Sequence, residues 1–249
     1  MDTIFQEPLD QTQKPITLIW LHGLGVDGSD FESFQKELSQ FGELNNVRMV
    51  LPSAPLRDIT AYNMKMNGWY DLFDETFEEE TKEDIDGMNQ AAETITALIE
   101  EERQKYPDSP IWLGGFSQGA AMAILVGLSQ ITPLAGVIAL SGYVPKHPRF
   151  AELSDVAKQT PVFMAHGTLD PVISLVQAKK GLEVLNKAGA SVEFFDYPMV
   201  HEICPDEVAD IAEFIRAHGA TSQQETTQAY LRFFKPFNSD PSVGVFVWN

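Results

Sequence analysis

From about residue 16 to residue 218 the chain alternates short apolar runs with longer stretches of helical periodicity, and this rhythm limits the fold more than any other feature. The runs are residues 16–21 (ITLIWL), 47–51 (VRMVL), 111–116 (IWLGGF), 136–141 (GVIALS), 162–166 (VFMAH) and 192–197 (VEFFDY). They are almost continuously apolar, which is the pattern of strands buried on both faces of a parallel sheet. Helical periodicity fills the intervals. Residues 31–41 place Phe31, Phe34, Leu38 and Phe41 three or four apart. Residues 85–106 put Ile85, Met88, Ala92, Ile95, Leu98 and Ile99 on one face and end at Pro107. Residues 118–128, 175–187 and 207–218 complete the set. Strand and helix in strict alternation predict an α/β fold: a mostly parallel central sheet with helices on both faces.

Two segments break the rhythm. Residues 74–84 (DETFEEETKED) are dense in carboxylates, but their spacing is not that of a calcium loop, and they read as a solvated connection into the next helix. Residues 221–249 open polar and then turn aromatic, with Tyr230, Phe233, Phe234, Phe237, Phe246 and Trp248. Such side chains are seldom left in water, so this extension is expected to dock, either on its own domain or across a homodimer. The expected organisation is one domain over 1–220 and an aromatic-rich extension over 221–249.

Composition excludes several classes. With 17 Lys+Arg against 36 Asp+Glu the net charge is −19. A nucleic-acid binder needs a basic footprint, so no nucleic-acid partner is expected. The same charge opposes adsorption to an anionic membrane, and no apolar run is long enough to span a bilayer. The first residues, MDTIFQEPLDQTQK, lack the basic-then-apolar pattern of a secretory signal. Cys204 is the one cysteine, which rules out an intrachain disulfide. A cytoplasmic location is the expectation these features support.

The chemistry concentrates at Gly115-Phe116-Ser117-Gln118-Gly119. Alone the pattern is common, and a glycine turn with an idle serine would produce it. Its setting, directly after an apolar strand and before the helix-forming AAMAILVGL, raises its weight. A serine on such a strand-to-helix turn stands clear of the sheet beside the positive end of the helix. It needs a base, and the base needs an orienting carboxylate. In this fold they follow in the order Ser, Asp, His. Asp170 lies in HGTLDPV after VFMAH, and His201 in YPMVHEICPDE after VEFFDY. Both fall at the carboxyl ends of strands, where open α/β sheets build their sites.

The other histidines have plainer readings. His147 and His218 are expected at the surface, and His22 and His166 as structural hydrogen-bonding residues. Asp196 competes with Asp170 for the acid role, but it precedes His201 by five positions inside a strand. The negative oxygen of a tetrahedral intermediate needs two donors. The candidates are the backbone N–H of Gln118 and that of Leu24, in the LHGLG turn after ITLIW. The glycines at 23–28 match neither a P-loop nor a dinucleotide fingerprint, and no cofactor or metal is expected.

Taken together, IWLHGLGVDG, LPSAPLRDIT, NGWYDL, WLGGFSQGAAMA, GVIALSGYVP, HGTLDPVI and HEICPDEVADIAEFI resemble the acyl-protein thioesterase / phospholipase–carboxylesterase family of α/β hydrolases. The resemblance implies a monomeric or dimeric cytosolic serine hydrolase of carboxylic esters, lysophospholipids or protein S-acyl thioesters. It implies Ser117 as nucleophile, Asp170 as acid and His201 as base, with the Leu24 and Gln118 amides as oxyanion donors. It also places Trp69 and Val172 beside the acyl-binding groove. Three departures stand out: Val200 where the family usually has glycine, AYNMKMN over 61–67, and the extension past 218. The alternative is a catalytically silent binding protein on the same fold. Such a protein has no need to retain a complete triad with its oxyanion loop.

Overall fold

The structure, a computed structural model, describes residues 1–42, 44–74, 76 and 82–219. The extension 221–249 lies outside the described residues, as do 75 and 77–81 of the acidic run. In chain order the elements are β1 (Thr3–Gln6), β2 (Ile16–Leu21), α1 (Phe34–Gly42), β3 (Val47–Pro52), β4 (Leu56–Ile59), β5 (Met64–Asn67), α2 (Ile85–Lys105), β6 (Ile111–Phe116) and α3 (Gln118–Gly127). Then follow β7 (Gly136–Leu140), α4 (Asp155–Gln159), β8 (Pro161–Gly167), α5 (Leu175–Ala188), β9 (Ser191–Tyr197) and α6 (Pro205–Gly219).

The six apolar runs become β2, β3, β6, β7, β8 and β9. With β1 they form one sheet in the order β1-β3-β2-β6-β7-β8-β9, parallel throughout except for β1 against β3. Alternate side chains on each strand face opposite layers, so the core divides in two. On β2, Leu18 and Trp20 pack with Phe34 and Leu38 of α1 and with Ile211 and Ile215 of α6. Ile19 and Leu21 face the other way, onto α2 and α3. All of α3 is buried, which is why its sequence is apolar around its whole circumference. After β3 the chain crosses to the far side of β2 and lays down β6. The loops leaving β2 and β6 therefore meet where the direction of winding reverses, the crevice that open sheets use for ligands.

The structure departs from the sequence expectations in several places. A single helix is expected over 31–41, but α1 starts at Phe34. Asp27 first closes a capping box with Asp30 around a short 3-10 turn, and Phe41 ends up exposed. β9 is not doubly buried: it is the sheet edge, and most of its side chains are exposed or half-buried. β1, with the mixed sequence TIFQ, is not an apolar run and carries no strand signal of that kind. Nor does the β4–β5 hairpin, which turns at Asn63 in the left-handed conformation that asparagine tolerates.

Candidate active site

Ser117 occupies the turn between β6 and α3 with φ 56° and ψ −117°, a strained geometry for any residue with a side chain. The turn is possible because the residues two positions to either side, Gly115 and Gly119, carry no side chain. A Cβ on Gly119 would lie 2.0 Å from the carbonyl oxygen of Leu21, and one on Gly115 would lie 2.4 Å from the backbone of Gly119. The Ser117 amide is fixed by donating to the Leu140 carbonyl at 2.8 Å. Its hydroxyl is left free of capping duty and half-exposed.

The structure brings the three predicted residues together. Asp170 Oδ2 lies 2.7 Å from His201 Nδ1, and His201 Nε2 lies 3.0 Å from Ser117 Oγ. A carboxylate only accepts, so Nδ1–H donates to Asp170 and Nε2 is left to accept the serine proton. The Asp170 side chain is fully buried, and its other oxygen accepts the amides of Val172 at 2.8 Å and Ile173 at 3.0 Å. His166 stands behind it, donating from Nε2 to the Ile173 carbonyl at 2.7 Å. Burial holds the pKa of His166 below the usual histidine value, which keeps it neutral there. Asp196 is elsewhere: exposed, and paired with Lys179 at 3.3 Å. Val200 does not take a positive φ and points partly into solvent, so a side chain is tolerated before His201.

Leu24 and Gln118 both line the cavity that holds Ser117 and His201. As the first residue of α3, Gln118 has no intrahelical acceptor for its N–H. The LHGLG turn is braced from below. His22 donates from Nδ1 to the Gly23 carbonyl at 2.7 Å and accepts the Ala54 amide on Nε2 at 2.9 Å. Burial lowers its pKa and keeps it in this neutral form.

Trp69 is not at the groove, contrary to the sequence expectation. It is buried, and its indole N–H donates to the His22 carbonyl at 2.9 Å. Its neighbours Tyr70 and Leu72 line the cavity in its place. The reason lies in Gln118, whose side chain accepts the Trp69 amide at 2.8 Å and donates to the Tyr70 carbonyl at 2.9 Å. That clamp holds the indole under the LHGLG turn and the tyrosine in the cavity wall. Val172 does line the cavity, as expected.

The cavity has a volume of about 250 Å³ and a largely apolar wall, including Met66, Tyr70, Tyr143 and Ile173. Sequence reasoning missed Tyr143, although its SGYVP stretch carries the resemblance, and Phe116, whose ring lies 4.8 Å from that of His201. His147, expected at the surface, is buried, with Nδ1 accepting the Arg149 amide at 3.2 Å. Among the described residues no group of three or more His, Cys, Asp or Glu could hold a metal ion, and no helix is long and apolar enough to cross a membrane.

A serine on a strained strand-to-helix turn, in contact with a histidine and a buried aspartate from later strand ends, defines a serine hydrolase of the α/β-hydrolase class. The chain belongs to the phospholipase/carboxylesterase family, which it matches over residues 6–219. It is a carboxylic ester hydrolase that cleaves esters or thioesters. It is 35% identical over 231 residues to acyl-protein thioesterase 1 of Mycosarcoma maydis, covering 86% of this chain and 96% of that one. With acyl-protein thioesterase 1 of Neurospora crassa it shares 38% over 208 residues, 80% and 85% of the two chains. Among solved structures it is similar to Arabidopsis thaliana SOBER1, with a TM-score of 0.77 and 28% identity over 83% of this chain and all of that one. Zea mays acyl-protein thioesterase 2 shares the fold, with a TM-score of 0.74 at 24% identity, covering 88% of this chain and 99% of that one.

Proposed function

We propose that the chain releases acyl groups from S-acylated proteins or lipid esters through an acyl-serine at Ser117. The observation that supports it most directly is the unbroken hydrogen-bonded line from Asp170 through His201 to Ser117 Oγ. His201 takes the serine proton as Oγ attacks the acyl carbonyl, and the Leu24 and Gln118 amides receive the charge on its oxygen. The C–S or C–O bond then breaks, and the thiol or alcohol leaves with the proton from His201. Water attacks the acyl-serine, again giving its proton to His201, and the free acid departs. Asp170 holds the imidazole tautomer and stabilises the imidazolium in both halves. No step calls on a metal or cofactor.

The named thioesterases among its relatives support the thioester side of this reading. The family match, which ends at residue 219, supports 1–220 as the hydrolase domain and 221–249 as its extension. A cytoplasmic location and a monomeric or dimeric state are part of the same proposal. Fluorophosphonate labelling and turnover of an acyl thioester test the assignment. Ser117→Ala should abolish labelling and lower kcat by about 10⁴-fold or more with the fold intact. A variant that still labels, or turns over near the wild-type rate, would remove Ser117 from the mechanism.

A further inference from the structure

Two cavities share one wall. The cavity over Ser117, of about 250 Å³, and a second of about 480 Å³ have Tyr70, Leu72 and Tyr143 in common. The second does not reach the serine; it lies between residues 70–73, residues 143–146 and α5, lined by the apolar Phe73, Val144 and Val184 and by charged groups that include Lys82, Glu83, Lys146 and Lys180. Tyr70 and Tyr143 are 1% and 8% exposed, and their hydroxyls are hydrogen-bonded to each other at 2.7 Å. Burial raises both phenol pKa values, so the pair stays neutral across the working pH range.

We propose that the Tyr70–Tyr143 pair is the end wall of the acyl site and sets the longest acyl chain the enzyme accepts. The inference rests on the reading that Ser117 carries the acyl group. The wall is held at a set distance from the serine, because the residue next to the nucleophile holds the wall: Gln118 Nε2 donates to the Tyr70 carbonyl. The first cavity has about half the volume of the second, so a short acyl group fits it and a long one outruns it. Longer chains meet two buried rings. The second cavity, nearly twice as large, would take the rest of a long acyl chain once the rings are removed. Tyr70 and Tyr143 are thus specificity residues; they take no part in moving protons.

The test is the dependence of kcat/KM on chain length, read with p-nitrophenyl esters from two to sixteen carbons. Wild-type values should be highest among the shorter esters and fall at least about tenfold between eight and fourteen carbons. Tyr143→Ala should raise the ratio of fourteen-carbon to four-carbon kcat/KM at least about tenfold, and adding Val184→Trp, which refills the second cavity, should reverse it. Tyr143→Phe keeps the ring and should leave the ratio within about threefold of wild type. The ratio is internal to each protein, so it does not depend on how much of a variant folds. A wild type equally fast on eight and fourteen carbons overturns the wall even if Tyr143→Ala fails to fold, and so does an unchanged ratio in that variant. Labelling that survives Ser117→Ala would fault the serine assignment instead, and the chain-length ratios would still decide the wall.

Discussion

Gln118 meets the site through its side chain and, in the proposed mechanism, through its backbone. The backbone N–H, at the start of α3, has no intrahelical acceptor, and the side-chain amide pins Trp69 and Tyr70. Gln118→Leu keeps the volume and the backbone but strands a buried N–H and a buried carbonyl. The expected loss of stability is about 2–4 kcal/mol, at roughly 1–3 kcal/mol per buried unsatisfied group less relaxation. The seat of the indole under the His22 carbonyl would loosen, so kcat should also fall, by about tenfold to a hundredfold, as the LHGLG turn loses its support. Chemical denaturation alongside steady-state kinetics checks both, and a variant with wild-type stability would show that the clamp is ornamental. The Ser117, Asp170 and His201 trio was legible at this scale because each member has a characteristic residue type and a position after a strand. The clamp was not. Glutamine in the serine motif reads as a backbone donor, and nothing in sequence spacing brings residue 118 to residues 69 and 70.

At the scale of elements, the site depends on how closely α3 seats against β2. Gly119 makes that contact, and helix propensity and packing pull its substitution in opposite directions. Alanine would favour the helix by about 0.5–1 kcal/mol. Its Cβ would meet the Leu21 carbonyl at 2.0 Å, a backbone atom that cannot swing aside. Overpacking of that kind costs about 1–3 kcal/mol or more, so the clash wins. Gly119→Ala should lower Tm by several degrees, at about 2–4 °C per kcal/mol for a chain of this size, and lower activity further as Ser117 shifts. A calorimetric Tm equal to or above wild type would mean that helix propensity outweighs the clash. The six apolar strands were readable from their continuous runs. β1 and the β4–β5 hairpin were not, because short edge strands carry mixed residues and owe their pairing to neighbours distant in sequence.

Across the whole molecule, stability should respond to pH through groups outside the catalytic line. Glu207, on the first turn of α6, is fully buried, and burial pushes its pKa up to about 8, with Asp210 adding to the shift. The native state therefore keeps a proton that the unfolded chain releases, and stability falls as pH rises from about 4.5 to 8. The buried, neutral His22 and His166 act in the opposite sense. Their pKa values lie below the unfolded value of 6.5, so the stability they contribute is present above that pH and is lost as pH falls below it. Glu207→Gln should match wild type near pH 4.5 and exceed it by about 2–4 kcal/mol at pH 8. Urea denaturation at the two pH values measures this, and a constant difference between the proteins would rule out titration of Glu207 as the cause.

The alternation of apolar strands and amphipathic helices determined the sheet and its layers, since burial on two faces permits few other arrangements. Motif order along the chain determined the trio, since each parallel strand ends on the same edge and delivers its loop there. Only the tertiary structure decided that Trp69 turns inward while Tyr70 lines the cavity over the serine. Only it showed that Tyr143 meets Tyr70 hydroxyl to hydroxyl in the cavity wall, and that Val200 stands before His201 without strain. Those outcomes depend on side chains from separate elements competing for one volume, and that competition has no signature in local sequence.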